Sequence, residues 1–149
     1  MEKVHVYLNF NGTCEEAFNF YAKVFNSPLH CVMRYADMPP HPDMPPIPEK
    51  AKNKVMHTQL QLSEQSLLMG SDIEEAYGQK LTQGNSTYVT LATSSEEETH
   101  TLYKALTTEA KSIEMELGEQ FWADLYASFQ DKFGIWWMLI FEGSKAEQA

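Results

Sequence analysis

HVYLNFNGTCEEAFNFYAKVF, residues 5–25, reads as a strand running into a helix, and the chain repeats the same pattern once more. His5, Tyr7 and Asn9 alternate with Val6, Leu8 and Phe10 ahead of Gly12, as in a strand with one wet and one dry face. Thr13, with Glu16 three residues on, has the form of a capping box. Phe18, Tyr21, Ala22 and Phe25 then recur at helical spacing until Asn26, Ser27 and Pro28 stop the helix. TYVTLATSSEEETHTLYKAL, residues 87–106, superposes at a constant offset of 81, carrying Leu8 to Val89, Phe10 to Leu91, Tyr21 to Leu102 and Phe25 to Leu106. Ser94 and Glu97 make the second expected capping box. A repeat of this length predicts two equivalent modules rather than a solenoid.

Each helix is followed by three strand-like runs. LHCVMRYA, VMHTQLQL and SLLMGS follow the first, and KSIEMEL, a weaker FWADLYASF and IWWMLIF follow the second. In QDKFGIWWMLIFEG, residues 130–143, Asp131 and Gly134 mark a turn before an unbroken apolar run. The expected fold class is therefore α+β, two βαβββ modules forming a curved, mostly antiparallel sheet cup with helices on the outside. The chain reads as a single domain over 1–149, with module one at about 1–72, module two at about 85–143 and a tail at 144–149. Between them, residues 38–48 hold six of the seven prolines, and DMPP occurs at 37 and again at 43. That composition excludes a central strand. It reads as a stiff polyproline-like surface connection, or as a lid or dimer arm that uses Met38 and Met44 as apolar contacts.

Composition narrows the function. The 149 residues suffice for one core without staples, so Cys14 and Cys31 are expected as reduced thiols in a cytoplasmic protein. No signal-like N-terminus and no membrane-spanning apolar run is present. A net charge of −10 repels phosphate backbones, which disfavours nucleic acid and anionic membrane surfaces as partners. A small molecule or another protein remains. Glu96, Glu97 and Glu98 read as a helix N-terminus complementing the macrodipole. Cys14, in a first helical turn, would have a lowered pKa, but no general base is placed beside it.

The paired modules, with EEAFNFYAKVF in the first helix and DKFGIWWMLIF at the end, resemble the vicinal oxygen chelate superfamily of glyoxalase I, extradiol dioxygenases and the fosfomycin and bleomycin resistance proteins. YLNFNG, EEAFNFY, KVMHTQLQL, LLMGSD and FWADLYASFQDKFGIWWM together resemble its PhnB-like branch, whose members often carry a demethylubiquinone methyltransferase label. A site for a nucleotide methyl donor usually has a glycine-rich turn between strand and helix. This chain has seven scattered glycines and no G-x-G, so methyl transfer is not expected.

In the metal-using relatives, two residues per module, generally His or Glu, point into a shared cavity. The resemblance and strand parity together place His5, Met69, Tyr88 and Met138 at those positions. One imidazole, two thioethers and a phenol suit no hard divalent ion, so no metal and no cofactor is expected. With Tyr7 also facing the cup, His57 and Gln59, opposite Leu60 and Leu62, should join His5 and Asn9 in a polar patch inside it. They serve there either as a ligand or proton-transfer group or as hydrogen-bonded residues of a partly buried sheet. Trp137 shares parity with Ile135 and Leu139 and belongs to the core, whereas Trp136 shares parity with Met138 and can line the cavity. Trp122, in an FW pair followed by Ala123 where relatives usually have glycine, is a further lining candidate.

The expectation is a PhnB-like protein that binds a small organic molecule in a cup, and a homodimer, because open sheet edges and the Pro-rich arm need covering. The rival is a lyase, epimerase or oxygenase recruiting His5, His57 and Glu142 or Asp72 as replacement ligands or as acid and base.

Overall fold

In the computed structural model, which describes residues 1–148, the chain forms two units, Met1–Thr82 and Gln83–Ala149; of the 144–149 tail, Ala149 lies outside the described residues. The first contains β1 (Val6–Phe10), α1 (Cys14–Val24), β2 (Cys31–Arg34), β3 (Val55–Ser63) and β4 (Ser66–Asp72). The second contains β5 (Val89–Ala92), α2 (Glu96–Leu106), β6 (Ser112–Gln120), β7 (Ala123–Gln130) and β8 (Trp136–Phe141). The sheet orders are β1-β4-β3-β2 and β5-β8-β7-β6, and each sheet has one parallel pair, β1 with β4 and β5 with β8. The fold is thus α+β, built from two βαβββ modules. Among the described residues no helix is long and apolar enough to cross a membrane.

In the first unit Leu8, Phe10, Thr58, Leu60 and Leu68 bury against α1, which presents Cys14, Ala17, Phe18 and Tyr21 at helical spacing. Phe18 can approach because it lies over Gly70: a Cβ there would stand 2.5 Å from its ring. The offset of 81 carries Phe18 to Thr99, and the strand registers carry Gly70, opposite Leu8, to Trp137, opposite Val89. In the second unit the small residue is therefore on the helix and the large one on the strand. Trp137 is fully buried, as its parity predicts.

The helix starts differ from expectation. Thr13 makes no side-chain cap. Asp72 instead accepts from Gly12 N at 2.7 Å and Cys14 N at 3.0 Å through Oδ1, and from Val55 N at 2.9 Å through Oδ2. A buried carboxylate at the end of β4 competes better for these amides than a neighbouring hydroxyl, because charge-assisted bonds are stronger. In α2 the cap is Ser95, which accepts from Glu98 N at 3.1 Å, one residue later than the expected Ser94 and Glu97. Ser94 Oγ donates to the Glu98 carboxylate instead.

The turn before β8 is organised by Asp131. Its Oδ1 accepts from Phe133 N at 2.8 Å and Ile135 N at 3.0 Å, and its Oδ2 accepts from Trp137 Nε1 at 2.8 Å. Gly134 takes the left-handed conformation, φ 91°, that closes the turn. The Pro-rich segment is polyproline-like at Met38 (φ −70°, ψ 132°) and at Pro48 (φ −58°, ψ 143°). It encloses, with Lys52 and Tyr77, an apolar cleft of about 410 Å³ lined by Met38, Met44 and Ile47.

Candidate functional site

In the first unit the strand registers place Tyr7 beside Met69 and Met69 beside Gln59, a row across β1, β4 and β3 on the face away from α1. Tyr7 Oη stands 3.3 Å from His57 Nδ1, and His57 Nε2 stands 3.4 Å from Gln59 Oε1. With the phenol donating to Nδ1, the imidazole is held as the Nε2–H tautomer donating to the amide oxygen. The Tyr7 and His57 rings lie 5.8 Å apart. Asn9 is exposed on the same strand face, opposite Ser71 in register.

His5 stands apart from this row. It precedes β1, and its Nδ1 accepts from Leu67 N at 3.1 Å, in a shallow depression of about 420 Å³ shared with Lys3, His30, Gln59 and Gln61. Gln59 is the one residue common to that depression and the His57 pair.

In the second unit, Val89, Phe129, Trp137 and Leu139 form the buried face under α2, whose Tyr103 ring meets Phe129 at 5.7 Å. Tyr88, Ser128, Trp136 and Met138 take the opposite parity, and Ser128 and Met138 are register partners. Tyr88 packs edge-on against Trp136 at 5.6 Å. Its hydroxyl donates to Glu114 Oε2 at 2.7 Å and Oε1 at 3.0 Å, and Ser128 Oγ donates to Oε1 at 3.0 Å. The hydrogen bond to Glu114 is the main reason the Tyr88 phenol is held above its ordinary pKa. Trp122, in the turn between β6 and β7, rests on Tyr126 at 5.5 Å with Phe121 behind it.

Sequence reasoning missed Glu114 and Ser128. Glu114 alternates with Ile113 and Met115 in KSIEMEL, which marked a strand, but β6 pairs with β7 through three register shifts, and alternation cannot carry a face assignment across them.

The registers also separate the four residues placed at ligand positions. The repeat carries Tyr7 to Tyr88 and, through their strand partners, Met69 to Trp136 and Ser71 to Met138. Tyr88 is thus the counterpart of Tyr7 and not of His5, so the four positions are not two equivalent pairs. Among the described residues no group of three or more His, Cys, Asp or Glu side chains could hold a metal ion. A thioether, a phenol already donating to a carboxylate and an imidazole engaged by a backbone amide do not fit a divalent ion.

The replacement candidates do not repair this. Asp72 is buried and spends its oxygens on three backbone amides, and Glu142 is exposed beyond β8. Cys14 corrects the expectation of a lowered pKa: burial, and then the Asp72 charge, push its thiol strongly up. Cys14 and Cys31 are both free.

A family model described as 3-demethylubiquinone-9 3-methyltransferase matches residues 2–140. Protein PA1353 from Pseudomonas aeruginosa shares 33% identity, with a TM-score of 0.78 over 94% of this chain and 97% of that one. A putative 3-demethylubiquinone-9 3-methyltransferase, PhnB protein, from Bacillus cereus shares 26% identity, with a TM-score of 0.72 over 93% and 98%. The fosfomycin resistance protein FosX from Listeria monocytogenes, at 10% identity and a TM-score of 0.62 over 95% and 94%, shares the fold. No curated protein matches the chain.

Proposed function

Since the chain belongs to the family described as 3-demethylubiquinone-9 3-methyltransferase, the PhnB-like branch of the vicinal oxygen chelate superfamily, we propose that it binds a small organic molecule on the open faces of its sheets without a tightly held metal. The observation that carries this reading is the face of the second sheet away from α2. There Tyr88, Trp136 and Met138 present aromatic and apolar surface beside a few placed polar groups, the composition of a small-ligand site. In the first unit Tyr7, His57 and Gln59 supply a hydrogen-bonding row of the same character. Held between the Tyr7 hydroxyl and the Gln59 amide, His57 fixes the orientation of both, which suits a row that meets a polar ligand group.

The methyl transfer in the family's description is not carried over. The carboxylate of a nucleoside methyl donor is an anion of the kind that free amides at a helix N-terminus bind. Here the amides of Gly12 and Cys14 are already bonded to Asp72, and α2 is capped by Ser95.

Metal analysis of untagged protein, together with thermal melts in zinc, nickel, manganese and ferrous ion, tests the metal-free part. A metal at about 100 times its dissociation constant stabilises a fold by about 2.7 kcal/mol, a shift of several degrees here. No stoichiometric metal and no shift are expected. One tightly held ion per chain, lost on His5→Ala, overturns the reading. Native mass spectrometry of protein purified without added ligand tests the binding part, with a retained organic adduct that is lost on Trp136→Ala as the expected result.

A further inference from the structure

We propose that the open face of the second unit's sheet selects an organic cation, a protonated amine or quaternary ammonium group, with Glu114 as its counter-charge. This rests on the reading of that face as a small-molecule site and adds the ligand's chemical class.

Glu114 is a placed group and not a waving surface carboxylate. Ser128, whose hydroxyl donates to Oε1 at 3.0 Å, is fully buried in β7, so the carboxylate is tied to the sheet itself. Tyr88 fixes it from the other side, at 2.7 Å to Oε2 and 3.0 Å to Oε1. Two hydroxyls orient a carboxylate but leave its charge uncancelled. A carboxylate has about four lone-pair sites, and the bonds from Tyr88 and Ser128 leave Oε2 open to a further donor.

Among the described residues no basic side chain supplies that donor. Among the described residues Glu114 has no ion-pair partner, while Lys132 pairs with Glu109 at 3.7 Å and Lys145 pairs with Glu119. The aromatic surroundings favour the same ligand. Tyr88 and Trp136 meet at an interplanar angle of 62°, forming a corner beside the carboxylate, and ring faces attract cations, indole best of all. An anionic ligand would be repelled by the Glu114 carboxylate and by a chain carrying −10, whereas cations are concentrated near such a chain.

The test uses three probes of one shape: choline, the uncharged 3,3-dimethylbutan-1-ol and the anionic 3,3-dimethylbutanoate. The Trp136 indole NMR signal of the full chain is followed during titration. Choline is expected to shift it and to bind at least tenfold tighter than the alcohol. Glu114→Gln, which keeps the size and one acceptor of an exposed residue, is expected to bring choline down to the alcohol's affinity while the chain stays cooperatively folded, with its melting temperature lowered by no more than a few degrees. Ser128→Ala provides a second variant, with a smaller loss for choline and none for the alcohol. If the alcohol or the anion shifts Trp136 as strongly as choline, or Glu114→Gln leaves choline binding intact, the cation proposal falls while the small-molecule reading stands. If no probe shifts Trp136, both fall.

Discussion

Tyr88 and Glu114 hydrogen-bond at 2.7 Å although they belong to opposite edges of one four-stranded sheet, Tyr88 immediately before β5 and Glu114 in β6. Four neighbouring strands set such backbones about 14 Å apart at ordinary spacing, so both side chains lie along the open face over β8 and β7. The bond favours the neutral phenol, which raises the Tyr88 pKa. Its sign for stability follows: the contribution is complete below the ordinary tyrosine pKa and is lost as pH rises through the raised value. Ultraviolet difference titration should therefore show Tyr88 ionising late beside Tyr35, which burial pushes up to about 12, and Glu114→Gln should return Tyr88 alone toward the ordinary range. An unchanged titration in that variant would remove the bond from the solution structure.

The adjacent tryptophans should separate cleanly. Trp137 is fully buried and donates to Asp131 at 2.8 Å, so Trp137→Ala loses packing and leaves a buried carboxylate short of a donor. A cost of about 3–5 kcal/mol is expected, read by denaturant unfolding. Trp136 is partly exposed on the other face, and Trp136→Ala should cost clearly less while weakening ligand binding. The reverse ranking would mean the two faces are exchanged.

Parity and repetition made much of this architecture legible. Leu8 and Phe10 against Tyr7 and Asn9, and Trp137 against Trp136, are local alternations that a single strand dictates. The repeat at 81 then doubled the inference. What stayed hidden depends on partners distant in sequence. Asp72 caps a helix that begins 58 residues before it, and no local pattern announces that Thr13 will lose that role. Cys14 looked activated because a helix N-terminus lowers a thiol's pKa, whereas its burial beside that same Asp72 dominates. Glu114 was lost to the bulges of β6, and His5 to a ring nitrogen turned back onto the Leu67 amide.

Asp72 should be among the most sensitive positions in the first unit. It joins the start of α1, the start of β3 and the end of β4, and Tyr35 Oη adds a bond to its carbonyl at 2.6 Å. Asp72→Ala leaves three amides without acceptors in or near the core. Bonds to a charged group are worth about 1.5–3 kcal/mol each, and because such losses are not additive, a total of about 3 kcal/mol or more is expected. Asp72→Asn, which keeps one acceptor oxygen, should fall between that variant and the wild type. A guanidinium titration that ranks Asp72→Ala within 1 kcal/mol of the wild type would show that the carboxylate does not organise this junction.

The β6 edge is the place where a second copy of the chain should dock. Within the second unit's sheet it is an edge strand, and Ile113 and Met115 on it are 41% and 37% exposed. The following turn adds Phe121 at 82% and Trp122 at 38%. Scattered exposed apolar residues need no partner, but four of them on one strand edge and its turn make a patch that pairing with another chain would cover. Light scattering at micromolar concentration is expected to give about twice the 17.1 kDa chain mass. Phe121→Asp should shift the equilibrium toward monomer without lowering the monomer's own stability, since so exposed a side chain contributes little to its fold. A constant mass of one chain across the concentration range would rule the dimer out. A dimer indifferent to Phe121→Asp would move the interface elsewhere, with the exposed Val32 and Met33 of edge strand β2 the next surface to substitute.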